Sequence, residues 1–211
     1  MPMDSSTLDH LVTALVPSLS RSLAEQFNVF RVMHHGTHEK QLSNVFAWLL
    51  RPEATHGFGD SFQRLFIEQV NRGLAEGDQV PPVGYRVLQE VDTSAHDDPG
   101  KDIADIVLTN ASASIVVENF ESSDGHGHGY YRYLAYGATG GKRSIVVLLC
   151  ARRERHLQTD GWENAVVVTY AELLDRLATH VEGDAAWRRT HPQQSSSSTR
   201  CRNASWRVPV L

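Results

Sequence analysis

Along residues 7–32 apolar side chains recur at helical spacing: Leu8, Leu11, Val12 and Leu15, then Leu19, Leu23, Phe27 and Phe30. Pro17 between the two sets suits the first turn of a restarted helix, so the pattern predicts two amphipathic helices or one kinked helix. A polar turn, His34-His35-Gly36-Thr37-His38, leads into a stretch in which Leu42, Val45, Phe46, Leu49 and Leu50 share one helical face, and Pro52 ends it. His56-Gly57-Phe58-Gly59 reads as a loop. Asp60 and Gln63 have the spacing of a capping box and open a helix carrying Phe62, Leu65, Phe66, Gln69 and Val70, which Gly73 stops.

Beyond residue 83 the period shortens to that of strands. Tyr85, Val87, Leu88 and Val91 form the first, after which an acidic loop intervenes. Ile103 to Thr109 and Ser114 to Phe120 are β-rich runs separated by Asn110-Ala111-Ser112-Ala113, the length of a four-residue hairpin loop. A tyrosine-rich helix over 130–138, a buried strand over 144–150, another over 166–169 and a helix over 171–179 complete the order αααβββαββα, an α/β chain. From Thr190 onward no periodic apolar face remains, and the tail is expected to be disordered.

Composition narrows the possibilities. The 211 residues, 41% of them hydrophobic, suffice for one sizeable core. The longest apolar run, Ile145 to Ala151, falls far short of the roughly 20 residues that cross a bilayer. The opening Met1-Pro2-Met3-Asp4 lacks the blocks of a signal peptide, and Cys150 and Cys201 make no disulfide framework, so a reduced, cytoplasmic protein without membrane contact is expected. The net charge of −5 hides an asymmetry: residues 185–211 hold five arginines and no acid, which leaves 15 basic against 25 acidic residues before them. Bulk charge therefore repels nucleic acid, and phosphate contacts would have to come from a local patch or the basic tail.

The hairpin supplies the candidate chemistry. Symmetric closure of its loop pairs Thr109 with Ser114 and carries Asp105 directly opposite Glu118, at Cβ separations of roughly 4.5–5.5 Å where like charges repel unless neutralised. Both acids stand among apolar strand residues, and Mg²⁺, which takes few carboxylates and keeps its waters, is a natural neutraliser. A solvent-facing acidic hairpin is the alternative, and a slip of one residue would put the acids on opposite faces. Glu39 lies three and seven residues before Leu42 and Phe46, on the face directed at the core; an acid stabilised by the helix dipole is its other reading. Lys101, four residues before Asp105, shares that residue's face, or is a solvated lysine beside Asp97, Asp98 and Asp102.

Glu39, Ser43, Ala47-Trp48-Leu49-Leu50, Pro52 and His56-Gly57, followed by Asp105 in Ile103-Ala104-Asp105-Ile106 and by Glu118-Asn119, resemble in order a bacterial branch of the PD-(D/E)XK nuclease superfamily over roughly residues 37–175. The resemblance implies a restriction-endonuclease-like αβββαβ core with a mixed central sheet flanked by helices. Residues 37–184 would form that domain, residues 1–36 a helical extension, and 185–211 a basic tail. It implies metal-dependent cleavage of nucleic acid, DNA rather than RNA, in bacterial defence or a mobile element. Asp105, Glu118 and the carbonyl of Asn119 would hold Mg²⁺ or Mn²⁺, with Glu39 completing the site. The departure is Phe120, which stands where the family has the lysine of Glu-x-Lys; Gly129-Tyr130 likewise stands where a Gln-Leu pair opens the next helix. Lys101 is the candidate replacement cation, lying one same-face step beyond the lost lysine.

The resemblance also makes Arg132 and Tyr133 substrate-binding residues, and sets His126 and His128 of a glycine-rich loop at the mouth of the site. These histidines lack the spaced partners of a structural zinc motif. Read from residues alone, the tyrosine-rich helix is packed core and Arg152, Arg153 and Arg155 are a solvated strand end. A catalytically inactive relative that binds nucleic acid or protein, an interaction module with a structural acid pair, and a homodimer stay open.

Overall fold

The structure, a computed structural model, describes residues 38–94, 102–120, 129–159, 161–185 and 189. The helices expected within 7–32, Lys101, the loop with His126 and His128, and the tail from Thr190 lie outside the described residues, and Glu39 is described by its helical backbone alone.

Helix α1 (His38–Leu50) and helix α2 (Ser61–Arg72) arise from the two periodic runs and bury Phe46, Ala47, Leu49 and Leu50 of the first and Phe62, Phe66, Ile67 and Val70 of the second. No capping box forms between them. Asp60 has a helical backbone and makes no side-chain cap, and Gln63 turns inward instead. Its amide donates to the carbonyls of Leu50 and Tyr85 and its oxygen accepts from the N–H of Tyr85, each at 3.0 Å. The spacing was that of a cap, but a buried amide between a helix end and a strand start offers more hydrogen bonds than one exposed N–H.

Five strands follow in one sheet of order β1-β2-β3-β4-β5: β1 (Arg86–Asp92), β2 (Ile103–Thr109), β3 (Ala113–Phe120), β4 (Arg143–Cys150) and β5 (Val166–Thr169). The first three pair antiparallel and the last three parallel, which makes the sheet mixed. Thr109 does pair with Ser114, and the Asn110 side chain closes the turn by accepting from the N–H groups of Ser112 and Ala113. Helix α3 (Tyr130–Gly137) links β3 to β4, and helix α4 (Tyr170–Gly183) follows β5 behind a capping box of Thr169 and Glu172.

Period-two alternation splits the strands between two cores. Ile106, Leu108, Ile115, Val117, Val147, Leu149 and Val168 face α1, α2 and α4. Val107, Val116, Val146, Leu148, Cys150 and Val167 face α3 and the loop bearing Trp162. Among the described residues no helix is long and apolar enough to cross a membrane.

Candidate active site

The two hairpin acids sit where β2 and β3 part. The ladder runs from Thr109↔Ser114 to Ile106↔Val117 and stops one pair short of Asp105 and Glu118. Rather than facing Glu118 as a regular cross-strand pair, Asp105 extends its carboxylate across the fork and accepts the N–H of Asn119 at 2.8 Å. The cause lies on the other side of β2. Gln89↔Ile106 and Val91↔Ala104 bracket a position at which Glu90 meets Asp105, and Glu90 has φ +50, the one non-glycine positive φ among the described residues. Across this position both strands change face: Ile106 belongs to the core under α1, whereas Ala104 and Val91 belong to the core under α3. Asp105 occupies the point of inversion and so projects into the gap.

Glu118 and Asn119, consecutive on β3, lean to opposite faces. Glu118 meets the fully buried Tyr133 of α3, whose hydroxyl lies 2.8 Å from its Oε2 and 3.0 Å from the carbonyl oxygen of Ile103. Burial foremost, then the negative charge of Glu118, pushes the Tyr133 phenol far above its ordinary value, so it remains a donor shared between the two acceptors and ties the start of β2 to the end of β3. Asn119 is buried under α1 and α4. Its amide donates to Ser43 Oγ at 2.9 Å and its oxygen accepts from the hydroxyl of Tyr170, a ring stacked on Phe46 at 5.3 Å.

Asp102, 4% exposed, is a third acid at this end of the sheet. Arg132 is ion-paired with it, the N–H of Gly129 points at it from 3.4 Å, and its own backbone is held by Thr93 and Ser94. Of the two residues expected to bind substrate, Arg132 therefore rests on a buried carboxylate, and Tyr133 is buried against Glu118. Lys40, in the first turn of α1, ion-pairs with Glu90 at 2.9 Å; this bond first, and the charge of Glu90 and Asp105 besides, raises its pKa. Phe120 packs on the core under α3 with its ring 6.5 Å from His156. Cys150, at the end of β4, is no nucleophile: burial pushes its thiol up to about 11.

Asp105, Glu118 and the main-chain carbonyl of Asn119 are hard oxygen donors of the kind Mg²⁺ and Mn²⁺ prefer. Among the described residues no group of three or more His, Cys, Asp or Glu side chains stands ready to hold a metal ion. Two carboxylates suit an ion that retains several waters, and Glu39 enters α1 on the turn beside Lys40.

At three of these positions, Ser43, Asp102 and Glu90, the sequence does not disclose the contact that the structure shows. Ser43 carried a signal, since a hydroxyl at spacings of three, four and seven from Phe46, Ala47 and Leu50 is a polar residue on an apolar stripe. Asp102 read as one more acid of a solvated loop, and nothing in the β-like run of Val87 to Val91 signals a left-handed Glu90.

The family model of the PD-(D/E)XK nuclease superfamily matches residues 27–178. No curated protein and no solved structure matches the chain.

Proposed function

The chain belongs to the PD-(D/E)XK nuclease superfamily, and from that premise we propose that it is a metal-dependent nuclease cleaving phosphodiester bonds, in DNA rather than RNA, with a degenerate site. Asp105, Glu118 and the Asn119 carbonyl would hold Mg²⁺ or Mn²⁺, Glu39 would close the set, and Lys101, His126 and His128 would serve the phosphate from the flanking loops. When bound, the ion supplies an activated water and offsets charge on the leaving oxygen. The chain's own residues do the positioning: Tyr133 fixes Glu118, the Asn119 N–H fixes Asp105, and Ser43 with Tyr170 fixes Asn119. The observation that carries the reading is the fork itself, which brings the Asp105 carboxylate to the peptide next to Glu118. A cytoplasmic role in bacterial defence or on a mobile element, and a nuclease domain over 37–184 between a helical extension and a basic tail, belong to the same proposal.

A second reading, a relative that binds without cutting, draws on Phe120, an apolar ring packed on its core where a cation would aid the developing charge. Incubation with Mg²⁺ or Mn²⁺ and single- or double-stranded DNA and RNA separates the two. Wild type should cut, Asp105→Asn should abolish cutting while keeping the contact to Asn119, and Phe120→Lys should raise the rate, on the order of 10²-fold. Inert wild type and inert Phe120→Lys on every substrate would leave the binding reading in its place.

A further inference from the structure

We infer that the cavity at the outer edge of β5 is a phosphate-binding site, built by Arg72, Arg153 and the amide of Gln69 and separate from the acids. It does not depend on the nuclease reading. The cavity, about 280 Å³, is lined by Gln69, Arg72 and Gly73 at the end of α2, by Arg153 after β4, and by Val166 and Val167 of β5, the last strand of the sheet. A Cβ on Gly73 would come within 2.8 Å of Val166 Cγ1, so glycine is what lets the helix end close on the strand. The volume falls just short of the roughly 300–1,000 Å³ of small-molecule sites, which leaves room for a phosphate and a little of what bears it. Val167 is in register with Glu118 through Leu148, which sets their backbones about 10 Å apart across the sheet.

Gln69 is only 8% exposed. Its oxygen accepts from the guanidinium of Arg72 at 3.1 Å and from that of Arg176 at 3.3 Å. Turned over, the amide would set its own N–H groups against two cations, so its orientation is fixed. The amide nitrogen makes no hydrogen bond among the described residues and is not sealed inside the protein, which leaves its donors to the cavity that Gln69 lines. A basic residue in the last turn of a helix is ordinary, but Arg72 borders this cavity with its bond to Gln69 as its one side-chain hydrogen bond among the described residues. Arg153 gives Nε and Nη2 to Glu172 and keeps Nη1, and Arg176 is paired with Glu68. Three arginines thus face two acids, and the charge left over is that of Arg72. Donors from two guanidiniums and an amide, carried on different elements, suit a tetrahedral oxyanion, which accepts from several directions where a carboxylate accepts in one plane.

The test is isothermal titration of the full chain with inorganic phosphate, in EDTA and at an ionic strength held constant with chloride. Wild type should bind a single phosphate, and Arg72→Gln should weaken it about 10- to 100-fold, the loss expected when charged hydrogen bonds to an anion are removed. Arg153→Gln, on a different element, should weaken it as well. Arg64→Gln, on the same helix but outside the cavity, should not. Thermal melting of Arg72→Gln should match wild type, because Arg176 still holds Gln69. A labelled single-stranded oligonucleotide without terminal phosphates tells the sources apart. If a polynucleotide supplies the group, Arg72→Gln also weakens the oligonucleotide and lowers its salt slope by about one; if a small phosphate does, oligonucleotide binding is unmoved. A wild type that binds no phosphate, an Arg72→Gln chain of unchanged affinity, or an equal loss in Arg64→Gln would overturn the inference, the last because diffuse charge alone would then be at work. Cutting of DNA or RNA with metal, present or absent, bears on the nuclease reading alone.

Discussion

The two faces of the sheet are built differently. Under α1, α2 and α4 lies a thick core of Phe46, Phe62, Phe66, Ile67 and Leu173 against the strands, into which polar side chains enter as hydrogen-bonded knots, Gln63 and the Ser43-Asn119-Tyr170 set. Under α3, a helix of eight residues, the core is smaller and its large side chains are polar-tipped rings, Tyr130, Tyr133 and Trp162, set against the aliphatic residues of the strands. Alternation along β3 assigns its last acid to the thin face and the next residue to the thick one. The thick face anchors the strand through Asn119, while the thin face leaves Glu118 reachable yet oriented by a phenol. Rigidity and access, which compete at any one position, are thus divided between consecutive residues.

The largest effect should follow from damage to the thick face. Phe62, wholly buried with its ring 6.3 Å from that of Phe46, leaves a cavity on truncation, and Phe62→Ala should cost about 3–5 kcal/mol in urea denaturation. A loss below about 1 kcal/mol would mean that this core collapses freely and is not the scaffold.

On the thin face the expected effect is smaller in stability and larger in function. Tyr133→Phe keeps the ring against Trp162 and removes the hydroxyl shared by Glu118 and Ile103. Unfolding should become easier by about 1–3 kcal/mol, while Mn²⁺ affinity, read by calorimetry, should fall about 10- to 100-fold, as when an outer-shell partner of a metal ligand is lost. Reduced stability with unchanged Mn²⁺ affinity would assign the hydroxyl to folding alone.

The same contrast explains what was legible in the residues. Hairpin register could be counted from a loop of four residues because paired positions must sum to a constant, and the helical faces of α1 and α2 followed from spacing. The fork could not be counted, because it depends on a left-handed Glu90 in a neighbouring strand that shows no glycine or turn residue. Tyr133 was legible as important and illegible in role: periodicity places it on a face, but whether a phenol at that face reaches solvent or a carboxylate depends on how close a short helix lies to the sheet. Asp60 and Gln63 failed for a related reason, since a local cap motif and a long-range amide clamp have the same spacing.

The smallest effect concerns pH and returns to the thick face. His56, fully buried in the α1–α2 connection, accepts the Phe58 N–H on Nδ1 at 2.9 Å, so its hydrogen sits on Nε2, which donates to the Arg51 carbonyl at 2.8 Å. The ring lies between Trp48 and Phe58. Burial lowers its pKa below the ordinary value, with the carbonyls of Arg51 and Trp48 opposing only in part. A depressed value in the folded state means the unfolded chain binds the proton first. The contribution is therefore complete above the unfolded value of about 6.5 and is lost as pH falls from there through the folded value. Protonation would also place a second hydrogen against the Phe58 N–H, so the loop should loosen as the charge enters. Denaturation midpoints measured from about pH 7.5 down to about pH 5.5, where most carboxylates remain ionised, should decline in wild type and stay flatter in His56→Gln. Parallel slopes in the two proteins would show that another group, on either face, carries the acid sensitivity.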